Sequence, residues 1–142
     1  MAKLYICAVD GSKVADRAAA CAVNLAKSSG AKLTFLNINI IPTRFKRTYF
    51  WDATLVDASD IQSHRQFGAA AKVAKAAKFT GYDCIIASGS NVADAIVSYV
   101  KKHKADHLIM GTATTNELTR LFLGSVATAV VSHAECPVTI VK

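Results

Sequence analysis

Leu4-Tyr5-Ile6-Cys7-Ala8-Val9 runs straight into Asp10-Gly11-Ser12. An unbroken apolar run is the pattern of a strand buried on both faces, and such strands belong to parallel sheets covered by helices. The Asp-Gly-Ser turn stops the strand and offers an N-cap. Val14, Ala18, Cys21, Ala22 and Leu25 then recur at helical spacing, up to the stop at Ser28-Ser29-Gly30. A strand, a tight turn and a helix fill the opening of the chain, and the remainder repeats the theme.

Residues 32–40 read as a second strand, 59–80 as an alanine-rich helix stopped by Gly81, and Cys84-Ile85-Ile86-Ala87 as a third strand. Val92, Ile96, Val97 and Val100 mark a third helix, and His107-Leu108-Ile109-Met110 is a fourth strand. Residues 125–133 make a fourth helix and 138–141 a fifth strand. This alternation predicts one α/β domain over residues 1–142, with an open five-stranded parallel sheet, helices on both faces and right-handed crossovers. Polar and glycine residues concentrate after the first and fourth strands. Ligands of such sheets lie off the strand carboxyl ends where the strand order reverses. Placing those two strands side by side gives the order 3-2-1-4-5, with a crevice between them.

The two walls of that crevice differ chemically. On one side Gly111-Thr112-Ala113-Thr114 is followed, after nine residues, by Gly124-Ser125, which opens the fourth helix. Glycine beside a helix N-terminus lets backbone N–H groups approach a ligand, and the helix polarity favours an anion. The pattern points to a phosphate site, and the same residues also serve as ordinary loop punctuation. Opposite stands Asp10, whose carboxylate repels phosphate but accepts hydrogen bonds from ribose hydroxyls or an amino group.

A chain of 142 residues that is 52% hydrophobic and has only two prolines excludes disorder and can bury a core without disulfides. Cys7, Cys21, Cys84 and Cys136 are widely spaced and form no C-x-x-C pair, so free thiols in a reducing compartment are expected. No leader segment is visible, and no apolar run approaches the roughly 20 residues that span a bilayer. The expected location is the cytoplasm. The net charge of +7 favours anionic partners in general. Residues 41–58 are too long for a simple turn, and Arg44, Lys46 and Arg47 interleave there with Phe45, Tyr49, Phe50 and Trp51. Such a composition can stack bases and hold phosphates, which makes a nucleic-acid-associated protein the lesser alternative. The favoured reading is a loop over the sheet edge, with neither nucleic acid nor membrane an expected partner. His64, His103, His107 and His133 lack zinc-motif spacing, no phosphate-binding G-x-x-x-x-G-K-[ST] loop occurs, and Ser88-Gly89-Ser90 is not a nucleophile elbow. With no general base or metal cage placed, an enzyme is not expected, and a weak ATPase of slow, incidental turnover is the lesser alternative.

Three stretches carry a resemblance. They are Gly124-Ser-Val-Ala-Thr-Ala-Val-Val-Ser-His133-Ala-Glu-Cys136-Pro137-Val-Thr-Ile-Val-Lys142, Ala105-Asp106-His107-Leu108-Ile109-Met110-Gly111 and Ala8-Val9-Asp10-Gly11-Ser12. On these the chain resembles the universal stress protein family along its whole length, strongly over 106–142 and vaguely over 41–80. The resemblance implies the adenine nucleotide alpha hydrolase-like sheet and a homodimer; the apolar edge segment 137–141 is the expected pairing strand. It also implies a stress-response module that binds ATP or another adenine nucleotide, any magnesium or manganese entering only through the phosphates. The alternative is a family member without nucleotide that acts as a dimeric interaction module. By position the base and ribose would meet Ala8, Asp10 and Ile38. The phosphates would meet Gly111, Ala113, Thr114, Gly124, Ser125 and Val126. Thr114 departs from the family pattern, standing where its second glycine belongs.

Overall fold

The structure, a computed structural model, describes residues 3–41, 53–58, 60–61, 64–112 and 123–142. Its elements follow the chain as β1 (Leu4–Ala8), α1 (Lys13–Ser29), β2 (Lys32–Ile40), β3 (Ala53–Leu55), α2 (Arg65–Ala76), β4 (Tyr82–Gly89), α3 (Val92–Lys102), β5 (His107–Gly111), α4 (Ser125–His133) and β6 (Val138–Val141). The sheet order is β3-β4-β2-β1-β5-β6. Its five parallel strands lie as the sequence reading places them, with Cys7 beside Phe35 on one side and Ile109 on the other.

Two expectations need correction. The sheet has a sixth strand, β3, paired antiparallel with β4 through Ala53–Ala87, Thr54–Ile86 and Leu55–Ile85. Three residues, all exposed, cannot display a strand's period. The alanine-rich helix spans Arg65–Ala76 rather than 59–80. It ends before Gly81 because Lys78 turns left-handed and the Phe79 N–H donates back to the Ala74 carbonyl at 2.8 Å.

Neighbouring strand residues point to opposite faces, so the sheet holds two cores. Cys7, Phe35 and Ile109 pack with Val23 of α1 and Phe67 of α2. Ile6, Leu36 and Leu108 pack with Ile96 of α3 and Val130 of α4. Each fully buried large side chain contributes about 1.5–3 kcal/mol. All four cysteines are free. Burial raises the thiol of Cys7 far above its usual range and pushes Cys84 up to about 12. Both behave as small apolar groups.

His107 ties β5 to the edge strand, its Nε2 lying 2.7 Å from Thr139 Oγ1. Burial holds its imidazole below the ordinary value of 6.5. The unfolded chain therefore binds the proton more readily, so this contribution is present above that value and is lost as pH falls through it. Denaturant midpoints measured from about pH 7 down to about pH 5 are expected to fall, and His107→Asn should flatten part of that slope.

Candidate functional site

β1 and β5 are adjacent, yet their connections diverge. The chain leaves β1 for α1 on one face and β5 for α4 on the other. This is the reversal point at which open parallel sheets bind ligands. The strand ends there are well fixed. Val9 N–H donates to the Leu36 carbonyl at 2.9 Å, and Thr112 N–H to the Val141 carbonyl at 3.0 Å. Asn37 Nδ2 donates to the Val9 carbonyl at 2.8 Å, clamping β2 to the end of β1.

A cavity of about 190 Å³ opens at this point. It gathers five of the residues singled out from sequence: Ala8, Asp10, Ile38, Gly111 and Val126. Gly124 and Ser125 are next to Val126 in the chain but do not line it. Ala113, Thr114 and Arg120 lie outside the described residues, as does the basic aromatic stretch from Arg44 to Trp51. Sequence reasoning missed Asn37, Val92, Ile96, Met110 and Thr112, which also line the cavity. Asn37 was detectable as a polar residue late in an apolar strand. Val92 and Ile96, four apart on α3, are indistinguishable from core residues by spacing.

A larger cavity of about 360 Å³ lies elsewhere, between the outer face of α3 and the β3–β4 edge. It contains none of the sequence-derived residues. The smaller one has the stronger claim, since it sits at the β1–β5 reversal of strand order.

Each glycine of the crevice has a local cause. A Cβ on Gly111 would lie 2.4 Å from Val14 Cγ1 and 3.0 Å from the Val14 carbonyl, so glycine is what lets α1 pack on β5. Gly124 has φ 87 and ψ 160, a region open essentially to glycine alone. Gly124→Ala is expected to cost about 1–3 kcal/mol, read as a lower denaturant midpoint.

The helix ends around the crevice differ in what they leave open. Ser12 Oγ accepts from Ala15 N–H at 3.1 Å at the start of α1, and Asn91 Oδ1 accepts from Asp94 N–H at 3.1 Å at the start of α3. Both first turns also carry an acid, Asp16 and Asp94. The cap of α4 is a glycine, and its first turn has no acidic residue. Among the described residues no side chain caps its N–H groups, an arrangement that suits an anion. Asp10 is exposed, and its Oδ1 accepts from Ser12 N–H at 2.9 Å, which fixes the carboxylate at the crevice rim.

A family model described as the universal stress protein family matches residues 1–142. The chain belongs to that family. A universal stress protein of Thermus aquaticus is 34% identical over 147 residues, covering 100% of both chains. One from Methanocaldococcus jannaschii is 32% identical over 143 residues, covering 99% of this chain and 82% of its own. Among solved structures, a universal stress protein in complex with cAMP superposes with a TM-score of 0.71 at 26% identity, over 99% of this chain and 96% of that one. The α/β sheet flanked by helices is thus a shared universal stress protein architecture. No helix among the described residues of this universal stress protein is long and apolar enough to cross a membrane. No group of three or more His, Cys, Asp or Glu among them is arranged to hold a metal ion.

Proposed function

We propose that this universal stress protein binds an adenine nucleotide in the crevice between β1 and β5 and works as a ligand-sensing module in the stress response. The observation that carries this reading is the convergence of Ala8, Asp10, Ile38, Gly111 and Val126 on one cavity at the strand-order reversal. Its apolar lining from Val9, Ile38 and Met110 suits a planar base, and Asp10 suits ribose hydroxyls. The cavity is smaller than the roughly 300–1,000 Å³ of drug-sized ligand sites, which fits the nucleoside portion alone. The phosphates then extend past Gly111 toward the first turn of α4, within reach of Gly124, Ser125 and Val126. The sequence pattern assigns Ala113 and Thr114 to the same end, and the Thr114 hydroxyl, standing where that pattern has a glycine, can donate to a phosphate oxygen. The 26% identical relative bound to cAMP supports an adenine ligand.

Two experiments test this reading. The purified protein is denatured and the supernatant chromatographed for adenine nucleotide. The emptied protein is then titrated calorimetrically with AMP, ADP, ATP and cAMP. Saturable binding below millimolar ligand is the expected result. Absence of both released nucleotide and binding would leave the nucleotide-free interaction module as the function.

The same reading includes a homodimer through β6. That strand pairs with β5 alone among the described strands, and all four of its residues are half-buried. Edge strands of this kind pair with a second chain. Sedimentation velocity should give a dimer at micromolar protein, and Ile140→Lys should shift it toward monomer.

A further inference from the structure

We propose that the end of the molecule opposite the crevice is a binding face for single-stranded nucleic acid. In a parallel α/β sheet all strand starts and helix ends fall on one side. Here that side is stitched together by Lys32 N–H to the Lys3 carbonyl at 2.9 Å, Leu33 N–H to the Gly81 carbonyl at 3.0 Å and Asp106 N–H to the Leu4 carbonyl at 2.8 Å. Lysines scattered through the sequence meet there. Lys3 and Lys32 stand at strand starts, Lys27, Lys75 and Lys78 at the ends of α1 and α2, and Lys101, Lys102 and Lys104 at the end of α3. All eight are exposed.

Four carboxylates of the described residues share this end. Asp106 accepts from Leu4 N–H at 2.8 Å, Asp83 from the Thr34 hydroxyl at 2.8 Å, and Glu135 lies 3.7 Å from Lys101 Nζ. β3 runs antiparallel toward this end, and Val56 N–H donates to the Cys84 carbonyl at 2.8 Å, which brings Asp57 level with Asp83. Lys27 Nζ donates to the Ala77 carbonyl at 2.7 Å. Eight lysines against four carboxylates leave a surplus of four positive side chains here, of the five over all the described residues.

Helix dipoles favour lysine in a last turn. They do not account for the left-handed backbone of Lys78 and Lys104. α1 closes with Gly30 at φ 68, after which Ala31 N–H donates to the Ala26 carbonyl at 3.0 Å. α2 and α3 close with the same motif, Phe79 N–H to Ala74 at 2.8 Å and Ala105 N–H to Val100 at 3.0 Å. In those two the left-handed position is lysine, at φ 55 and φ 53. Glycine is the low-strain residue there. A cation held twice at a glycine position argues for a use of the charge.

Aromatic rings interleave with these lysines. Tyr99 and His103 stack at 4.0 Å, and Phe79 and Tyr82 at 6.4 Å, each pair half-buried or exposed. Lysines beside ring platforms bind a flexible phosphate backbone with unstacked bases. An anionic membrane fits less well, because the exposed large apolar residues of the described fold, Ile40, Leu55 and Val131, are scattered singly over β2, β3 and α4.

The test is fluorescence anisotropy with a fluorescein-labelled 20-nucleotide oligouridine at pH 8 over a salt series. Binding at low salt that weakens linearly on a log–log plot is expected. The double variant Lys78→Gly/Lys104→Gly should bind more weakly, with the slope reduced by about 1.4, while its melting temperature does not fall. His103→Ala should weaken binding about fivefold or more and leave the slope unchanged. No binding at low salt, binding indifferent to the double variant, or capture by phosphatidylserine vesicles or polyglutamate but not by oligouridine would each overturn the assignment.

Discussion

Gly111→Ala is expected to destabilise the protein by about 1–3 kcal/mol, the cost of overpacking a tight helix–sheet contact. The added Cβ would sit 2.4 Å from Val14 Cγ1 and 3.0 Å from the Val14 backbone, so α1 must move away from β5. For a chain of this size each kcal/mol lowers the melting temperature by roughly 3–5 °C. Val14→Ala in the same protein removes the closest clash and leaves the backbone one. The double variant should therefore lose less than the two single changes combined, by about 0.5 kcal/mol or more. Because the first turn of α1 carries Ser12 and positions Asp10, nucleotide affinity is expected to fall along with stability. A Gly111→Ala protein of unchanged midpoint would show that α1 and β5 are not in this contact.

Asp10→Ala is expected to weaken nucleotide binding about 10- to 100-fold, the loss of a hydrogen bond to a charged acceptor. The change also frees Ser12 N–H, which donates to Asp10 Oδ1 at 2.9 Å, and that costs about 1 kcal/mol of stability. Asp10→Asn separates the two effects. It keeps an acceptor for Ser12 N–H and for a ribose hydroxyl, so it should bind within about tenfold of the parent. Equal losses in both variants would make the carboxylate charge, not its acceptor geometry, the important property.

The fold was legible because its strands are buried on both faces. Leu4 to Val9 and Cys84 to Ala87 have no polar alternation, which restricts them to the interior of a parallel sheet. Order followed from where the polar turns lie. β3 was hidden, since Ala53-Thr54-Leu55 carries neither a period nor a burial pattern. A third of the crevice lining, five of fifteen residues, was legible. Asp10 and Gly111 stood out because they interrupt apolar runs at strand ends. Val92, Ile96 and Met110 read as core because they are core residues that also happen to face a cavity. The glycine spacing has local causes, since Gly111 makes room for Val14 and Gly124 holds a backbone conformation that glycine alone adopts readily. The basic face was invisible in sequence, where Lys3 and Lys104 are a hundred residues apart. Only the common direction of the strands brings them together.

The proposed nucleotide site is the crevice between β1 and β5. Titration of the 15N-labelled protein with AMP, followed amide by amide, tests it directly. Saturable shifts at Ala8, Asp10, Ile38, Gly111 and Val126, with the walls of the larger cavity at Ala87, Ser90 and Ser98 unmoved, are the predicted result. Shifts confined to Ala87, Ser90 and Ser98, or none at millimolar AMP, would contradict it.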